Sequence, residues 1–202
     1  MNSLAFSPVL NWEHNSPLPE EGSDWQCVSY KDELLLCGGL EVKTCYSYHC
    51  KKNEWKKICN YPETIEELFG HFVIEWKNKD VPKQMRLLSF GGQNKNKSKH
   101  TLTMIYSSVW PKNSKNKNNE NDISNNSWTP VIHSNGKRLI IGKDTDDLRG
   151  AKGIIGGKKN NLLFITYALT NIDVIDLNTF DCLAYKQLDY VMQKYSLSYN
   201  CF

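Results

Sequence analysis

Twice in this chain an apolar run ends in a pair of glycines: "ELLLCGG" at residues 33–39 and "MRLLSFGG" at 85–92. Glycine loses more conformational entropy on ordering than any other residue. A doublet closing a hydrophobic stretch therefore marks a place where the backbone takes φ > 0, or where a bulky neighbour packs on bare main chain. The doublets, Gly38-Gly39 and Gly91-Gly92, lie 53 residues apart. Recurrence at that interval predicts a stack of similar supersecondary units.

The flanking segments recur with them. In the first copy "WQCVSY" (25–30) leads into 33–39, followed by "TCYSYHC" (44–50) and "EWKKI" (54–58). The second runs "GHFVIEW" (70–76), 85–92, "HTLTMIYSSVW" (100–110) and "SWTPV" (127–131). A third reads "RGAKGIIGG" (149–157), "NLLFITY" (161–167), "NIDVIDL" (171–177) and "TFDCLA" (179–184), and "YSLSYNCF" (195–202) matches the opening of a fourth. Short runs rich in Leu, Ile, Val, Phe and Tyr, separated by Gly, Asn, Lys and Pro, predict strands throughout. Only "PETIEELFG" (62–70) starts like a helix, and Gly70 limits it to a short turn or helical cap.

The order of strand, apolar run ending Gly-Gly, Tyr and then Trp resembles the kelch repeat over about residues 25–202. The resemblance implies an all-β, kelch-like β-propeller, partial or open, built from four-stranded antiparallel blades. The blades are expected at about 25–60, 69–132 and 149–186, with the start of another at 195–202 and a largely irregular leader at 1–24. The repeat positions are Gly38, Gly39, Tyr46, Trp55, Gly70, His71, Gly91, Gly92, Tyr106, Trp128 and Phe180. The third copy departs from the pattern, with Thr166-Tyr167 where the glycines belong and Phe180 in place of the tryptophan. Gly156-Gly157 ends a first strand and is expected to make a hairpin turn.

Stacked blades bury their inner strands on both faces. Leu34-Leu35-Leu36, Leu87-Leu88 and Leu162-Leu163-Phe164-Ile165 accordingly read as continuous apolar runs. Trp55 and Trp128 are the expected neighbours packing on the glycines. Three blades and one strand fall short of the usual 4–8. The expectation is thus a truncated chain, closure by a second copy, or an open wedge.

Composition narrows function. With 25 Lys+Arg against 22 Asp+Glu, the net charge of +3 demands neither nucleic acid nor an anionic membrane. No apolar run approaches the ~18 residues of a membrane span. The seven cysteines, an odd number lying mostly in apolar runs, point to buried free thiols and a cytoplasmic location. The insertion at 111–127 and the stretch 93–100 are Asn/Lys-rich without interleaved aromatics, so they read as solvated loops rather than stacking platforms for bases.

Chemistry-bearing clusters are sparse. Cys45, His49, Cys50 and Cys59 have ligand-like spacing, but alternation along a strand splits them between two faces, so no metal is assigned. "KDTDDLRG" (143–150) lacks the glycine and terminal glutamate of a calcium loop and reads as an acidic turn. "GAKGIIGG" (150–157) opens no helix and fits no phosphate loop. His71 follows Gly70 at a strand start, where kelch-like blades carry Gly-His, and reads as structural; His100 reads as exposed. There is no nucleophile elbow. The expected function is a non-enzymatic protein-binding scaffold without cofactors, its protein partner meeting loops 40–43, 93–99 and 111–127. The alternative is an enzyme or sugar-active protein on a propeller scaffold resembling galactose oxidase.

Overall fold

The computed structural model describes residues 15–76, 84–94, 98–110, 126–133, 135–168 and 171–187. The first sheet comprises β1 (Cys27–Tyr30), β2 (Glu33–Gly39), β3 (Val42–His49) and β4 (Glu54–Asn60). The second comprises β5 (Phe72–Glu75), β6 (Met85–Gly91), β7 (His100–Tyr106) and β8 (Thr129–Pro130). The third comprises β9 (Lys152–Gly156), β10 (Leu162–Tyr167), β11 (Asn171–Asp176) and β12 (Cys182–Gln187). Each strand pairs antiparallel with the next in its sheet. The fold is all-β, and its three four-stranded sheets are compatible with propeller-like blades without forming a closed ring. The fourth-copy segment 195–202 lies outside the described residues.

Local chemistry sets the boundaries. Gly157 at φ +83° turns β9 back into β10, with Asn160 N–H donating to its carbonyl. In 62–70, Ile65 N–H reaches Pro62 O (2.9 Å) and His71 N–H reaches Leu68 O (3.0 Å). These are two separate turns, and Gly70 at φ +64° stops any helix from propagating.

The second sheet lies between the other two. Adjacent residues of β6 enter different cores: Leu87 packs with Leu35, Cys37 and Cys45 of the first sheet, and Leu88 with Leu163 and Ile165 of the third. The first strands gather on one side, with β5 beside both β1 and β9. Burial on both faces thus holds for Leu87-Leu88. It does not hold for β10, where Leu163, Ile165 and Tyr167 are buried while Leu162, Phe164 and Thr166 between them are only half-buried. The reason is that, among the described residues, no sheet covers the outer face of the third sheet. Leu34 is likewise exposed, at the edge of the first core.

The glycines are covered by leucines instead of tryptophans. A Cβ at Gly38 (φ +64°) would fall 2.6 Å from Leu68 Cδ1 and 3.0 Å from Tyr61 Cε2; at Gly91 (φ +85°) it would fall 3.3 Å from Leu148 O. Leu68 and Leu148 begin equivalent turns, Leu68-Phe69-Gly70-His71 and Leu148-Arg149-Gly150-Ala151, each closed by an N–H from its fourth residue to the leucine carbonyl. Each turn leads into the next sheet, so the start of one sheet is pressed on the glycine that ends the second strand of the sheet before it. Trp128 and Phe180 face the other way, toward the preceding sheet. Trp128 is buried against the first sheet, stacked on Tyr61 with centroids 4.8 Å apart, its indole N–H donating to Cys45 Sγ (3.3 Å). Phe180 turns its ring edge-on to Trp76 of the second sheet (5.3 Å). Trp55 is half-buried beside Tyr48 (4.8 Å), and its indole N–H donates to Ser16 O (3.1 Å).

Truncating a buried leucine costs its transfer free energy plus a cavity. Leu68→Ala and Leu148→Ala are each expected to destabilise the fold by roughly 2–5 kcal/mol in denaturant titration, and Trp55→Ala by less. A larger loss at Trp55 would return the glycine-covering role to the tryptophan.

Candidate functional site

Antiparallel order sends the connections after Gly39, Asn60, Gly91 and Pro130 out from one end of the sheets, the end where the glycines lie. Loops 40–43 and 93–99 adjoin this end; Val42 and Lys43 already belong to β3, and 95–97 lie outside the described residues. The connection 107–128 leaves from the opposite end, and residues 111–125 of the expected contact loop 111–127 also lie outside the described residues.

At the glycine end a cleft of about 210 Å³, counted out to its open mouth, is lined by Thr64, Glu66, Glu67, Gly92, Asn94 and His100 among others. The 62–70 turns form one wall and the start of β7 the other. Asn94 is held from both sides: its Nδ2 donates to Glu66 Oε2, and its Oδ1 accepts from Ser98 N–H (2.9 Å). His100 is buried, against the expectation of exposure, because it opens a strand inside the interface with the first sheet. Its Nε2 lies 2.8 Å from Ser89 Oγ, which in turn accepts the Tyr61 hydroxyl proton (3.0 Å). Nδ1 is buried and has no hydrogen-bond partner among the described residues. Gly92 (φ +61°) makes this possible, since a Cβ there would stand 2.9 Å from Nδ1.

His71, also buried, fastens two sheets. Its Nε2 lies 2.8 Å from Cys37 O, next to Gly38, and its Nδ1 lies 2.7 Å from Leu68 O. Burial pushes its imidazole down to about 4, although the two carbonyls pull the other way. Burial, with His71 nearby, pushes His100 down to about 3. Both rings are therefore neutral at pH 7, and desolvation is the larger effect in each.

The opposite end carries a buried carboxylate. Glu33 Oε2 accepts from Ser47 Oγ (2.7 Å) and the Tyr106 hydroxyl, and Oε1 accepts from Ser108 Oγ (2.6 Å). The Trp110 indole N–H donates to Ser47 Oγ (2.9 Å) and completes this join of the first two sheets.

The remaining sequence-derived positions scatter. Tyr46 faces Leu36 across β2 and β3, whereas Tyr106 faces Met85 at the far end of β6, so the two tyrosines stand at different registers. Cys45 is buried in a cross-strand row with Cys37 and Cys59, while Cys50 is exposed in a turn; Cys27 and Cys182 are exposed too, contrary to the reading of buried thiols. The acidic stretch 143–150 folds on itself, Asp146 Oδ2 accepting from Lys143 N–H (2.7 Å) and Asp147 pairing with Arg149, and it delivers Leu148 to Gly91. Sequence reasoning missed Tyr61, Leu68, Ser89 and Leu148. A signal for the leucines was present: "EELFG" and "DDLRG" share an acidic pair followed by Leu-x-Gly.

Below its unfolded value of 6.5, His100 takes a proton in the unfolded chain but not in the folded one until about 3, so unfolding gains protons and stability falls with falling pH. The loss reaches about 1.4 kcal/mol per pH unit from this residue. His100→Gln should flatten that slope in denaturant melts compared at about pH 7 and about pH 5; an unchanged slope would contradict the assignment. No family model matches the chain, and no curated protein matches it.

Proposed function

We propose that this chain is a kelch-like partial propeller acting as a non-enzymatic protein-binding scaffold in the cytoplasm. The observation that carries the reading is the convergence of connections from successive sheets at the glycine end, around a polar cleft with a buried histidine. A rigid stack presenting several loops side by side is the arrangement through which binding modules display contacts. The reading involves a protein partner and neither nucleic acid nor membrane. The apolar outer row of the third sheet, Ile154, Phe164 and Val174, supports further blades or a second copy completing the stack.

The test is a comparison of the two ends by affinity capture, with identification of the bound proteins. Reversing charge at the exposed Glu66 and Glu67 should weaken capture of a given partner about tenfold or more, whereas reversing it at the exposed Lys51 and Lys52 of the opposite end should leave capture intact. The opposite pattern, or a stoichiometric transition metal in the purified protein, would overturn the reading, and the metal would favour the galactose-oxidase-like alternative.

A further inference from the structure

Residues 15–25 form a strap over the face of the first sheet that points away from the second. Leu35 enters the core shared with the second sheet, so its neighbours Leu34 and Leu36 point the other way. Leu34 shares a cross-strand row with Tyr48 and Trp55, and Leu36 faces Tyr46. At one end of the strap Trp25 meets Tyr46 edge-on (6.4 Å). At the other end two residues take four hydrogen bonds. The Tyr48 hydroxyl donates to Asn15 Oδ1 (3.0 Å), Ser16 N–H to Asn53 Oδ1 (2.6 Å), Ser16 Oγ to Asn53 O (2.5 Å) and the Trp55 indole N–H to Ser16 O (3.1 Å). Ser16 thus commits its N–H, its carbonyl and its hydroxyl to holding the strap down.

The pin is also the first residue of a Ser-Pro pair. Pro17, Leu18 and Pro19, which follow it, are exposed. Proline offers no N–H, so an enzyme groove that provides no acceptor at the position after the serine admits proline and penalises every other residue. The other Ser/Thr-Pro pair among the described residues is Thr129-Pro130. It is fixed in β8, where Thr129 pairs with Thr103 of β7 and its Oγ1 donates to Thr103 O (3.2 Å). Of the two, Ser16 alone sits on a segment that can leave its sheet without breaking a ladder.

We propose that Ser16 is a phosphorylation site for a proline-directed serine/threonine kinase, and that the phosphate releases the strap from Tyr48 and Trp55. The γ-phosphorus of ATP bonds to Ser16 Oγ as its bond to the β,γ-bridging oxygen breaks. The hydroxyl proton passes to the kinase's base, and ADP leaves. The product has no hydrogen to give Asn53 O, and it sets a group of about −1.5 to −2 charge against two Asn53 oxygens that both act as acceptors. The docked strap loses its shortest bond and gains repulsion in its place. Opening must come first, because the hydroxyl is engaged while the strap is down, and the phosphate then prevents reclosure. This inference does not depend on the glycine end being the binding end.

The experiment treats the full chain with MgATP and a purified mitogen-activated protein kinase, maps phosphate by mass spectrometry and follows indole N–H exchange with water by NMR. Phosphate should appear on Ser16 and not on Thr129. Exchange of the Trp55 indole proton should then quicken about tenfold or more, while those of the buried Trp110 and Trp128 stay unchanged. Trp55→Phe keeps a ring but removes the donor to Ser16 O, and should raise the rate of Ser16 phosphorylation about tenfold by favouring the open strap. Ser16→Ala should make the Trp55 signal indifferent to the kinase. The proposal is overturned by the absence of phosphate on Ser16, by equal modification of Thr129, by a Trp55 signal unmoved after Ser16 is modified, or by an unchanged rate in Trp55→Phe.

Discussion

The architecture depends on a leucine pressed against a glycine. Leu68 covers Gly38, and Leu148 covers Gly91. In each case the leucine begins the turn that starts the following sheet, and the glycine ends the second strand of the preceding one. Both glycines have φ near +64° to +85°, a conformation that other residues reach only with strain, and at Gly38 a Cβ would overlap the leucine itself. The contact is short-range, through the Leu68 side chain at Gly38 and chiefly through the Leu148 carbonyl and Cβ at Gly91, and it sets how closely one sheet follows the next. Main-chain bonds reinforce it: Gly150 N–H donates to Gly70 O (2.9 Å), joining the two turns directly.

This close approach explains the polar centre beside it. Bringing the 62–70 turns onto the ends of β2 and β6 buries His71, His100, Tyr61 and Ser89 together. Buried polar groups need partners, and all but one of the ring nitrogens and hydroxyls here have them. The one exception, Nδ1 of His100, faces the cleft wall at Gly92, where the second glycine of the doublet withholds a side chain. One glycine of that pair thus serves packing between sheets and the other lets the His100 ring lie against bare main chain.

The carboxylate at the other end shows the same logic in a closed form. Glu33 is surrounded by hydroxyl donors from both sheets, so its burial is compensated and it offers nothing to a ligand. The buried acid has both oxygens engaged, whereas the buried imidazole of His100 has one nitrogen left over.

What could be read in the chain was the strand content, the fourfold grouping of strands and the special status of the glycines, because these depend on local patterning: short apolar runs, turn residues and a repeat near 53 residues. What could not be read was which side chain covers which glycine. Trp55 and Trp128 looked right by size and spacing, yet Trp128 faces the preceding sheet, Trp55 lies beside Tyr48 of its own sheet, and leucines from the following turn fill the place. Residues 30 and 57 positions apart meet there, Gly38 with Leu68 and Gly91 with Leu148, and no local rule encodes such pairings. His100 is the sharpest case. Its sequence neighbours are lysines and serine, which favour exposure, and only the stacking of the first sheet on the second buries it and opposes it to Glu67. The chain by itself determined that glycines had to end those strands; the tertiary packing decided what lies against them, because contact between sheets depends on their relative placement in space rather than on order along the backbone.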